Sequence, residues 1–117
     1  MSLNLALYTQ SAVSISTTEY SLTNNSTTIA TKTDNVVITI WIELVNMIAG
    51  DEYEIALREK VVSGGTQRKN ILANLIGVQG DPMFVSGPFH VGQGWDVTMT
   101  RIAGADRTFS WSIRAAS

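Results

Sequence analysis

Residues 35–45, NVVITIWIELV, place an apolar side chain at every second position. Val36, Ile38, Ile40, Ile42 and Leu44 share one face, while Val37, Thr39, Trp41, Glu43 and Val45 share the other. A period of two belongs to a β-strand with one buried side. The first face is apolar throughout and belongs to a core; the second is mixed, half covered and half wet. At about 3.3 Å per residue the strand runs roughly 30 Å, the height of a small sandwich.

The rest of the chain follows the same period. Strands are expected at Leu3–Thr9, Ala12–Thr17, Glu19–Leu22, Thr27–Thr31, Val36–Val45, Tyr53–Val62, Lys69–Val78, Met83–Val85, Phe89–Val91, Trp95–Ile102 and Thr108–Arg114. Turn residues recur every 8–12 residues or so, the spacing of a sandwich or barrel. Helix signals are nearly missing: IELVNMIA at 42–49 follows a strand pattern and holds at most one helical turn. The chain therefore reads as an all-β, single-domain antiparallel fold. Three Gly-containing turns are expected to close hairpins: Gly50-Asp51, VSGGTQR at 62–68 and IAGADR at 102–107. Pro82 and Pro88 bracket short irregular strands, since proline cannot donate to a ladder.

Composition bounds the function. A 12.7 kDa chain is one domain, for which size scaling gives roughly 6,200 Å² of folded surface against roughly 18,400 Å² unfolded. That burial supports a core without staples, and there are no cysteines to make any. Eight basic and ten acidic residues give a net charge of −2. No like-charge run points to nucleic acid or a membrane surface as partner. The N-terminus has no Lys or Arg before its apolar residues and no continuous apolar run, so a cytoplasmically made chain is expected. Nothing approaches the roughly 18–20 apolar residues of a membrane span.

Catalytic constellations are scarce. His90 is the only histidine and lies in PFHVG, with no GxSxG elbow elsewhere. Asp51, Glu52 and Asp81 lack the dense spacing of a calcium loop and are expected to cap turns. SGGTQRK lacks the phosphate-loop spacing. Arg58, Lys60, Arg68 and Lys69 gather at that hairpin as a small basic tip without interleaved aromatics. No enzymatic activity, cofactor or metal is expected.

Two of the three tryptophans lie near the C-terminal end. Phe109, Trp111 and Ile113 form a continuous apolar face that places Trp111 in the core. Trp95 follows Gly94 at a strand start and is left open between core and contact surface. If both rings pointed outward, they would suit a flat sugar-binding face.

Residues 1–31 differ from the rest. Thr, Ser and Asn dominate, yet Leu3, Leu5, Leu7, Val13 and Ile15 keep the period of two. This stretch is expected to be an arm, or edge strands, that lies against a neighbouring subunit.

TTEYSL at 17–22, AGDEYEIALREKVVSGGTQR at 49–68 and GWDVTMTRIAGADRTFSWSIR at 94–114 carry a resemblance by their order and spacing. Together they resemble small structural proteins of tailed bacteriophages, of the capsid decoration or cement type. The resemblance implies a jelly-roll β-sandwich on the capsid surface of a virion, made in the host cytoplasm. It further implies the major capsid protein as partner, a homotrimer, and no catalytic residues. Leu3, Leu5, Leu7, Arg68, Lys69 and Trp95 are the candidate partner contacts. The alternative is a carbohydrate- or receptor-binding module of a phage tail, which the same fold would carry.

Overall fold

A computed structural model describes residues 5–117, so Leu3 lies outside the described residues. The strands are β1 (Leu5–Ile15), β2 (Tyr20–Ser21), β3 (Val36–Glu43), β4 (Glu52–Lys60), β5 (Gln67–Ile76), β6 (Met83–Val91), β7 (Asp96–Ala103) and β8 (Arg107–Ala116). They form two four-stranded sheets, a front sheet ordered β1-β8-β3-β6 and a back sheet ordered β2-β7-β4-β5. Every pairing is antiparallel. β1 pairs with β8, β2 with β7, β3 with β6 and β4 with β5, as if one long hairpin had been rolled up. The β3–β8 and β4–β7 pairings then complete each sheet. This is the connectivity of a jelly roll. The folded surface is 6213 Å², the value expected for the chain's mass.

The inward faces are those the period of two assigns. Ile38, Ile40 and Ile42 of β3 meet Tyr53 and Ile55 of β4 and Val97 and Met99 of β7, all buried. Phe109, Trp111 and Ile113 of β8 complete the core, so Trp111 lies where its strand pattern places it. Tyr53 and Phe109, from opposite sheets, touch edge to face with centroids 4.7 Å apart.

Of the three expected hairpins only β4–β5 forms. β3 and β4 lie in different sheets, as do β7 and β8, so the turns at 44–51 and 104–106 cross from one sheet to the other. The physical reason is that a hairpin and a cross-sheet arch satisfy the same alternation. In both, every second residue meets the core, and only the sheet that receives the second strand differs. Residues 42–49 contain no helix; Leu44 and Met47 instead plug the end of the sandwich.

The two arches lie side by side, and Asp51 ties them. Its carboxylate accepts from the Ile48 amide at 3.0 Å and from Arg107 Nε at 2.8 Å, so it caps its own turn and reaches the other. The Tyr53 hydroxyl donates to the Ala105 carbonyl and accepts from the Arg107 amide, at 2.7 and 2.8 Å. The Arg107 guanidinium and the Ile48 amide hold the Asp51 carboxyl at about 2, against the effect of its burial. This lies below the ordinary aspartate value of about 3.9, so the stabilisation is present above about pH 4 and is lost as pH falls toward 2. Asp51→Asn is therefore expected to be less stable near neutrality and to show a shallower loss of stability from about pH 4 to about pH 2. Urea midpoints across that range check this; equal pH slopes for variant and wild type would refute the role of the pair.

Within residues 5–31 two expected strands merge into one edge strand and a third does not form. The two strands expected at Leu3–Thr9 and Ala12–Thr17 are one strand, β1, which pairs with β8 of its own chain. It is an edge strand of its own sandwich rather than a detached arm. No strand forms at Thr27–Thr31; that segment is held to the back sheet by the buried Asp96 carboxylate, which accepts from the Thr23 hydroxyl and the Ala30 amide. Met83–Val85 and Phe89–Val91 are likewise one strand, β6, with a register shift opposite Thr39 in the Gly87-Pro88 region.

Candidate docking face

The outer face of the front sheet is built by register. Across the sheet, Leu5, Ala116, Val37 and His90 stand in one row. Leu7, Arg114 and Thr39 form the next, with Pro88 beside them. Gln10, Ser112, Trp41 and Val85 make a third. Met83 lies opposite Glu43 beyond it.

A β-bulge decides which side the leucines take. Register shifts between Leu7 and Thr9, so the odd-numbered residues face outward before Tyr8 and inward after it. Val13 and Ile15 therefore pack on the core, whereas Leu5 and Leu7 point to solvent at 74% and 51% exposure. Val37, Met83 and Val85 are exposed on the same face at 38%, 49% and 47%. Leu5, Leu7, Val37, Pro88 and Ala116 line a shallow groove of about 500 Å³.

One cation sits in this apolar field. The Arg114 guanidinium stacks 4.0 Å from the centroid of the Trp41 ring, while Trp41 Nε1–H donates to Thr39 Oγ1 at 3.0 Å. Among the described residues no carboxylate pairs with Arg114. Its charge is left facing outward.

The back sheet presents different chemistry. Glu19, from the β1–β2 link, accepts two hydrogen bonds from Arg58, at 2.9 and 2.6 Å, and one from the Thr98 hydroxyl at 2.6 Å. Lys69 lies 3.8 Å from Glu19 and 2.5 Å from Glu54. Burial works against the Glu19 charge, but Arg58, Thr98 and Lys69 outweigh it and hold the carboxyl below its ordinary value. Here charges meet charges within the chain. Ile71 and Ile76 are exposed separately along β5.

The sequence-based candidates are thus divided. Leu5 and Leu7 lie together on the front face. Lys69 is committed to Glu19 and Glu54 on the back, and Arg68 is exposed on β5 beside it. Trp95, expected as a contact, is wholly buried, with Nε1–H donating to the Asp34 carbonyl at 3.0 Å. A ring with no exposed surface touches no partner. Burial of both Trp95 and Trp111 also removes the pair on which a sugar platform would rest.

His90 Nε2 lies 2.6 Å from Asn35 Oδ1, and Glu59 accepts from the Gly92 amide at 2.9 Å. Among the described residues no group of three or more His, Asp or Glu side chains is placed to hold a metal ion. Sequence reasoning missed Trp41, Val85, Met83 and Arg114 as face residues, though the alternation of residues 35–45 already put Trp41 and Val37 on one side. No protein-family model matches the chain, and no curated protein matches its sequence.

Proposed function

We propose that this protein is a non-enzymatic structural component of a tailed-phage virion that docks on the capsid shell through the outer face of its front sheet. The observation that carries the reading is the contrast between the two faces. The front exposes Leu5, Leu7, Val37, Val85 and Met83 around one unpaired guanidinium, while the back pairs Arg58 and Lys69 with Glu19 and Glu54. Contiguous exposed apolar surface of this kind marks an interaction site. The order of the three resembling segments supplies the class of partner, the major capsid protein.

The test uses shells assembled from the major capsid protein of the same virus. Wild-type protein is expected to co-sediment with them, and the double variant Leu7→Glu, Val37→Glu to bind at least about tenfold more weakly, because two buried apolar contacts become charges. Both positions are exposed in the folded chain, so circular dichroism is expected to be unchanged. Equal binding by wild type and double variant would overturn the assignment of this face. No binding by wild type would overturn the capsid reading.

A further inference from the structure

Each sheet has two edges, and the four edge strands are protected unequally. β2 is only two residues long. β5 carries Arg68 and Lys69, and its register slips between Ile71 and Ala73. β6 is interrupted at Gly87-Pro88, which leaves short runs on either side. Shortness, charge, proline and bulges are the devices that stop edges from recruiting other strands. β1 has a bulge at Tyr8, but from Thr9 to Ile15 its register is unbroken and its sequence, TQSAVSI, holds no charge, glycine or proline. Among the described residues, no other backbone group bonds to β1 besides those of β8. One side of its ladder is open.

We infer that two copies of this chain pair through β1, antiparallel and about a two-fold axis at Ala12, joining their front sheets into one continuous sheet. Such an axis sets Ala12 against its own copy and each flanking residue against another from the same short stretch, so charges of one sign on the strand would repel across it, and this strand carries none. Ala12 meets Ala12, Ser11 meets Val13, Gln10 meets Ser14 and Thr9 meets Ile15; small side chains stand nearest the axis. The pleat also agrees. Gln10, Ala12 and Ser14 are exposed in the single chain while Val13 and Ile15 face its core, and this register keeps like faces on the same side. Both docking faces then look the same way. A three-fold assembly would instead set β1 against a different edge, and the alternatives are the guarded ones. The inference concerns the free protein and is independent of the capsid reading.

Two variants test it, since Ala12 is exposed and a change there leaves the core intact. Light scattering of the wild type is expected to give twice the chain mass of 12.7 kDa. Ala12→Lys, which sets two ammonium groups face to face, is expected to give the single-chain mass with an unchanged circular dichroism spectrum. Ala12→Cys is expected to form a disulfide-linked dimer on mild oxidation: Cα atoms directly opposite in an antiparallel pair are about 4.5 or 5.5 Å apart, within disulfide reach. The chain has no other cysteine to confuse the result. A wild-type mass of one or three chains, an Ala12→Lys mass equal to wild type, or no cross-link in Ala12→Cys would each overturn the pairing.

Discussion

Trp95→Ala is expected to lower unfolding free energy by about 3–5 kcal/mol, a large share of the roughly 5–15 kcal/mol that holds a domain together. The indole is wholly buried and leans on Tyr8 at a centroid distance of 5.2 Å. Its backbone exchanges two hydrogen bonds with Lys32, at 2.9 and 2.8 Å, and its ring nitrogen holds the Asp34 carbonyl. Removing the ring opens a cavity and leaves that carbonyl without its donor. Tyr8 feels the change as well, because its hydroxyl donates to the Asp34 carboxylate. Burial and that carboxylate together raise the Tyr8 phenol above its ordinary value. Trp95→Phe, which keeps a ring and loses the donor, is expected to cost less, about 1–3 kcal/mol. Urea unfolding with an unchanged m-value measures both. A loss below about 1 kcal/mol for Trp95→Ala would contradict a buried indole.

Gly104→Ala is expected to cost about 2–5 kcal/mol, from backbone strain and overpacking together. Gly104 has φ +89°, and a Cβ there would lie 2.3 Å from Asp51 Oδ1 and 2.8 Å from Asp51 Cα. Neither atom can withdraw easily, because Asp51 is fixed by Ile48 and Arg107. Gly50 supplies the control. It sits in the matching turn at φ +92°, but nothing lies within 4 Å of its Cβ position. Gly50→Ala therefore carries strain alone, about 1–2 kcal/mol. Thermal or urea unfolding of the two variants side by side checks the difference. Equal losses would mean that the arches do not touch at Gly104.

The strand faces were legible in the sequence because burial writes itself locally. Ile38, Ile40 and Ile42 had to share a side, and Phe109, Trp111 and Ile113 had to share another. Partnership was not local. The alternation of β7 and β8 is the same whether the chain doubles back within a sheet or arches across the core, and it arches. Leu5, Leu7, Val13 and Ile15 read as one stripe, yet a single extra residue at Tyr8 sends two of them outward. The candidate face was hidden for a related reason. Its rows take single residues from four strands far apart in the chain, so no window of sequence contains one. Lys69 read as a free cation because its partners Glu19 and Glu54 come from other strands and links.

The nesting of pairs about the Gly64-Gly65 turn has a consequence for synthesis. β8 is inserted between β1 and β3, so the front sheet cannot exist until residues 107–116 have left the ribosome. Until then β1 and β3, the first and third strands made, wait without their shared neighbour. The β4–β5 hairpin is the one pair that can close early, since its strands are joined by a short turn. Loop-closure entropy then favours zipping outward from that turn, with the pairing of β1 and β8 coming last. Such a chain folds slowly, and its nascent form carries open apolar strands through the crowded cell. The strand that waits longest for its partner is β1, the same uncharged strand that keeps one open edge when folding is complete.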